Sequence, residues 1–223
     1  LLRNATSGAV PEAKRKQRLR EAITLFEQRL GDPDGAVRAY RVLLELEPDN
    51  DEALRGLARV LERGGQWSAL CECYERMLVL AAEPAQKSAL LRRIADIQRR
   101  ERRDVDAAAA TLTRLIDIDV QDRAARSALA DDLTELQRWG ELAKLYERRI
   151  EEPGTRTDRV GYLRQLAELF ESQLKNPTGA FEAYERIVAL APEDSQALAR
   201  MEEIDGHAAV DVTDDQGHQP QDN

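Results

Sequence analysis

One interval governs this sequence. Ala36, Ala108 and Ala180 follow one another at 72 residues, inside three matching stretches that begin at Gly31, Arg102 and Lys175. Trp67 and Trp139 keep the same 72-residue spacing, as do Tyr74 and Tyr146, each of which is followed by Glu-Arg. A ruler held without insertion or deletion marks a repeat architecture, in which no unit can bury its own apolar face and each must share a core with its neighbours.

A shorter period nests inside the long one. Tyr40 and Tyr74 are 34 residues apart, and Tyr146 and Tyr184 are 38 apart, so two sub-units make up each 72-residue unit. Within each sub-unit the apolar residues recur at intervals of three and four: Leu19, Ile23 and Phe26; Leu54, Leu57, Ala58 and Leu61; Leu70, Tyr74, Met77 and Leu78. That is the stripe of an amphipathic helix, not the alternation of a strand. The pattern predicts helices over 12–30, 34–46, 51–63, 67–80, 85–102, 104–118, 122–136, 139–150, 157–174, 177–190 and 195–204. Pro33 and Pro177 suit a first helical turn, with Asp32 and Asn176 before them as caps. Pro48-Asp49-Asn50, Gly64-Gly65 and Pro192-Glu193-Asp194 punctuate the hairpins.

Composition narrows the function. With 42 acidic against 33 basic residues the formal net charge is -9, which disfavours nucleic acid and anionic membranes as partners. Both histidines, His207 and His218, fall in the polar C-terminal stretch, so the body lacks the usual acid-base residue. Cys71 and Cys73 are spaced so that they point apart on a helix, and read as small packing residues rather than a disulfide or metal pair. No run reaches the roughly 20 apolar residues of a membrane helix. The start, LLRNATSGAV, has neither an initiator Met nor a signal-peptide pattern, and looks like a cut from a larger, bacterial-like repeat protein. Residues 1–11 are expected to form a flexible boundary, 12–205 the repeat domain and 206–223 a disordered acidic tail.

The repeated residues read first as packing. Ala36, Ala108 and Ala180 suit close helix crossings, and Tyr40, Leu112 and Tyr184 stand one turn further on, where bulk rather than a hydroxyl is kept. Trp67 and Trp139 each open an amphipathic run and are placed to close a hairpin.

Over about residues 15–204 the chain resembles the tetratricopeptide repeat family. The best unit starts at Asp51, where Leu54, Leu57, Ala58 and Leu61 resemble the first helix, Gly65 the turn, and Leu70, Tyr74 and Met77 the second helix. Ala36, Tyr40, Leu43 and Pro48 match the end of the preceding unit, and Pro192 repeats the terminal proline. Leu54 and Arg126 depart from the family's early aromatic, and alternate units are four residues longer. The resemblance implies an all-α fold, a right-handed α-solenoid of antiparallel helical hairpins. It also implies a groove, lined by the first helix of each hairpin, that binds a peptide, tail or helix of another protein. Mapped onto this chain, the wall is Arg55, Arg59, Arg93, Ile97, Arg100, Tyr162, Gln165 and Leu169. Its arginines favour an acidic peptide.

A separate cluster, Arg92, Arg93, Arg99, Arg100, Arg102 and Arg103, spreads over a broad helical arc beside Asp96 and Glu101, which favours a solvated or intramolecular role. No phosphate loop, ligand cluster or nucleophile with its base accompanies the many carboxylates, so the reading is noncatalytic and needs no cofactor or metal. The leading expectation is a protein-interaction scaffold; the alternative is an architectural spacer or self-assembly module, with homo-oligomerisation left open. Absent export signals make the cytoplasm the default location.

Overall fold

The computed structural model describes residues 11–214, with side chains over 11–206. Eleven α-helices and no strand occur among them. In chain order they are α1 (Glu12–Leu25), α2 (Pro33–Leu46), α3 (Asp51–Arg63), α4 (Trp67–Leu80), α5 (Pro84–Arg100), α6 (Val105–Ile118), α7 (Arg123–Glu135), α8 (Trp139–Glu151), α9 (Arg156–Leu169), α10 (Pro177–Leu190) and α11 (Ser195–Asp214). The helices predicted from the stripe are all present. The described residues form two compact units, which divide between Asp132 and Leu133.

In the first unit consecutive helices pack as antiparallel neighbours, α1 on α2, α2 on α3, and so on through α6. Their stripes meet in a core that includes Leu19, Ala36, Leu54, Leu61, Leu70 and Ile94, each at most 1% exposed. In the second unit α8, α9, α10 and α11 pack in sequence around Leu163, Ala180, Tyr184 and Ile187. Ala36, Ala108 and Ala180 are all fully buried, as their crossing role requires. Tyr40, Leu112 and Tyr184 are buried beside them. Cys71 and Cys73 are free and buried, and the Cys73 thiol donates to the Leu54 carbonyl at 3.3 Å.

The caps obey the same ruler. Asp32, Asp104 and Asn176 accept from the backbone N–H three residues on, at 2.8, 3.1 and 3.0 Å. A second set, Asn50, Asp122 and Asp194, does so at 2.9, 3.0 and 3.1 Å. Each satisfies an amide that the first helical turn leaves without an intrahelical partner.

Two features go beyond the sequence pattern. Helices α1 and α9 each end in a π-helical turn, Phe26–Leu30 and Phe170–Leu174. The residue after each turn is left-handed: Gly31 at φ 57° and Lys175 at φ 49°, with Arg103 at 52° in the corresponding place of the middle repeat. The next N–H then reaches back six residues to a carbonyl, Asp32 to Phe26, Asp104 to Gln98 and Asn176 to Phe170. The second feature corrects the expected end of the last helix at 204 and the start of the tail at 206. Helix α11 continues to Asp214. A lone glycine such as Gly206 costs a helix only about 1 kcal/mol, and no proline follows until Pro220. Residues 1–10 and 215–223, on which the expected terminal boundary and the rest of the tail fall, lie outside the described residues.

Candidate protein-binding groove

The eight residues of the expected wall divide between the units. In the first, Arg55 and Arg59 stand one turn apart and exposed on α3, while Arg93 and Arg100 are exposed on α5. Ile97 lies between the latter two, half-buried against the core. Most of the arginines have internal acidic neighbours. Arg55 is 2.5 Å from Asp51, Arg100 is 3.8 Å from Asp96, and Arg93 is 3.8 Å from Glu62. Arg93 also donates to the Tyr74 hydroxyl at 3.3 Å, which raises its pKa above the ordinary guanidinium value.

Arg59 differs, because its guanidinium meets the Tyr40 hydroxyl rather than a carboxylate. Burial and the Glu27 carboxylate push the Tyr40 phenol up, and Arg59 partly offsets them. Tyr40 donates to Glu27 at 3.4 Å, and Glu27 also accepts from Arg63 at 3.5 Å. Together Glu27, Gln28, Arg59, Glu62 and Arg63 line an open cavity of about 550 Å³. Four of these five were not read from the sequence. Arg63 was within reach, one turn beyond Arg59 on the same face. Glu27 was not, since it comes from the π-helical turn after α1.

In the second unit Tyr162 is half-buried, its ring centroid 6.2 Å from that of Tyr146. The buried Arg149 guanidinium lies 5.6 Å from the Tyr162 centroid, a cation-π distance, and its Nη1 donates to the Pro153 carbonyl at 3.3 Å. Gln165 is exposed. Leu169 is only 6% exposed and belongs to the core with Leu163, Leu166 and Ala167, so it does not form part of a wall. The physical reason is the border of the stripe. Ile97, 72 residues earlier, also turns onto the core. An apolar side chain at that edge gains more from burial than from lining a wet surface.

The arginine cluster is largely engaged within the chain. Arg92 bridges Asp122 at 2.8 Å and Asp119 at 3.1 Å, Arg102 lies 3.5 Å from Asp104, and Arg99 pairs with the fully buried Asp132. Among the described residues no group of three or more His, Cys, Asp or Glu could hold a metal ion, and no helix is long and apolar enough to cross a membrane.

Residues 17–60 and residues 53–88 each match a family described as "Tetratricopeptide repeat". No curated protein sequence matches the chain. Among solved structures, a TPR repeats protein from Bacteroides fragilis is similar at 11% identity and a TM-score of 0.50, over 86% of this chain and 98% of its own. YrrB, a TPR protein with an unusual peptide-binding site, is 16% identical with a TM-score of 0.39, over 81% and 88% of the two chains. The TPR domain of P58(IPK) is 17% identical with a TM-score of 0.42, over 95% of this chain and 63% of that one. Likeness at these identities concerns the fold alone.

Proposed function

For a chain whose residues 17–88 consist of tetratricopeptide repeats, we propose a noncatalytic role as a protein-interaction scaffold that binds a peptide, tail or helix of a partner. The observation that carries this reading is the exposed first-helix face of the first unit. There Arg55, Arg59 and Arg93 stand exposed, and Arg59 lines an open cavity with Glu27, Gln28, Glu62 and Arg63. Arg59 is the anchor of the proposal, because a partner's carboxylate gains its charge without displacing an internal carboxylate. The other arginines exchange one anion for another and contribute mainly orientation. A partner suited to this face carries one acidic side chain for Arg59 and cationic or amide groups for Glu27 and Glu62.

The cytoplasm is the compartment proposed with it, resting on the sequence alone. The test is capture of partners by the chain, followed by titration of each with Arg55→Glu and Arg59→Glu. Arg59→Glu is expected to weaken binding about tenfold or more, with Arg55→Glu milder. Unchanged affinity for every confirmed partner would remove this groove from the function.

A further inference from the structure

The cavity at Arg59 has a smaller, apolar neighbour. Phe26, Pro33, Ala36 and Val60 line a space of about 220 Å³ between the π-helical turn after α1, the start of α2 and the end of α3. None of the eight residues of the expected wall contributes to it. Its exposed rim includes Gly31 and Gly64, and a β-carbon on Gly31 would meet nothing within 4 Å, so the rim is open there. The space lies between helices that already pack on one another, α1 on α2 and α2 on α3, rather than on an end face where another repeat would be added. Nor does the repeat require it. In the middle repeat the residues corresponding to Phe26, Val60 and Gly64 are Gln98, Asp132 and Leu136.

Glu27 and Arg63 line both cavities. At about 100° per residue the order around the end of α3 is Glu62, Arg59, Arg63, Val60 and Gly64, which puts Arg63 between the charged space and the apolar one. Its bridge to Glu27 is 3.5 Å long and largely exposed on the arginine side, and Glu27 keeps the Tyr40 hydroxyl when Arg63 turns to a ligand. The volume selects the occupant: about 220 Å³ falls below the roughly 300 Å³ at which small-molecule pockets begin, and suits one side chain. We infer that this pocket receives a single aliphatic side chain of the peptide that Arg59 anchors, and that an acidic residue next to it in the peptide pairs with Arg63. Burial of the aliphatic group adds affinity, and the charge-assisted contact fixes its register. The inference rests on the reading of this face as protein-binding and adds the motif that the face selects.

Three synthetic peptides, Ser-Glu-Leu-Glu-Ser, Ser-Glu-Ala-Glu-Ser and Ser-Lys-Leu-Lys-Ser, are titrated into the 223-residue chain and followed by amide NMR. Acid on both sides of the leucine makes the result independent of peptide direction. The first is expected to bind about tenfold more tightly than either of the others and to shift the Gly31 and Gly64 amides. Gly64→Leu borrows the residue of the middle repeat, at a φ of -85° that any side chain adopts, and is expected to erase the advantage of leucine over alanine. Arg59→Glu is expected to weaken both acidic peptides and leave their ratio in place. Leucine and alanine peptides that bind alike, while Arg59→Glu still weakens both, would overturn the pocket and leave the groove standing. A leucine preference that Gly64→Leu abolishes, with no effect of Arg59→Glu, would support the pocket and remove the anchor at Arg59. The inference is also overturned if the lysine peptide binds as well as its glutamate counterpart, if Gly64→Leu leaves the leucine preference intact, or if none of the three binds.

Discussion

The Tyr40 phenol lies so close to Gly56 that a β-carbon on that glycine would fall 2.2 Å from the hydroxyl oxygen and 2.4 Å from the ring. Helices α2 and α3 meet there, and the absent side chain is what admits the aromatic one. The middle repeat solves the same contact differently: Leu112 and Ala128 occupy the positions 72 residues on. Gly56→Ala is therefore expected to destabilise the fold by about 1–3 kcal/mol through overpacking, although alanine is the better helix former by about 1 kcal/mol. Tyr40→Leu together with Gly56→Ala recreates the middle pair and is expected to recover most of that loss. Urea denaturation of both single variants and the double variant measures the coupling. Additive losses would show that the two residues do not act as a pair.

The left-handed positions give a second expectation, of opposite sign. Gly31 adopts its φ of 57° without strain, while Arg103 and Lys175 hold nearly the same angle with a β-carbon. Such a residue in this region costs roughly 1 kcal/mol. Lys175→Gly and Arg103→Gly are each expected to raise stability by about 0.5–1 kcal/mol, less what glycine adds to the entropy of the unfolded chain. Gly31→Ala is expected to lower it by a similar amount, with no steric component, since nothing lies within 4 Å of the added carbon. Thermal melts of the three variants decide the matter. A loss in both glycine variants would count against strain at these caps.

Much of this was legible because the repeat states each rule more than once. Asp32 and Asn176 were readable as caps since each precedes a proline that must start a helix, and the alanines at 72-residue spacing were readable as crossings. The glycine partners were harder to foresee. Phe26 sits against Gly35 and Phe170 against Gly179, with added carbons falling 2.6 and 3.1 Å from the rings. The middle repeat, which has Gln98 in the aromatic place, carries Ala107. That covariation is visible in one dimension only once the contact is known. The groove was the least legible part. Charge patterns show where arginines stand and which have a carboxylate one turn away, as Arg55 has Asp51 and Arg100 has Asp96, but not that Arg93 reaches Glu62 on another helix, and nothing in the α1 stripe signals that Glu27 swings toward Tyr40 and Arg63. The extension of α11 is hidden for another reason: its composition turns polar after 204, although no proline breaks the helix before Pro220.

Cys73 offers a pH-dependent test of the first unit's core. Burial pushes its thiol up to about 11 from an ordinary value near 9. The folded state thus holds its proton longer than the unfolded state. Stability linked to this group is fully present below pH 9 and is lost as the pH rises toward 11. At pH 8 the thiol is expected to react with an aromatic disulfide reagent only as fast as the unit opens, and Cys71, also raised by burial, should behave alike. Labelling at the rate of a free thiol under native conditions would place Cys73 outside the core.

Asp132 is fully buried and is paired with Arg99, whose side chain remains 38% exposed. The two partners are not equivalent. Removing Arg99 strands a carboxylate in an apolar setting, whereas removing Asp132 leaves an arginine that can turn its head toward water along its own aliphatic stem. The position of Asp132 is filled by Val60 in the preceding repeat, so the backbone there accepts a buried aliphatic side chain. Arg99→Ala is expected to cost about 3–5 kcal/mol, because it leaves the buried carboxylate without its counter-charge. Asp132→Val is expected to cost far less, and could raise stability if the valine packs as Val60 does. Denaturant curves for both variants separate the cases. Equal losses would mean that the pair acts through packing alone and that its charge has no part in holding α5 to α7.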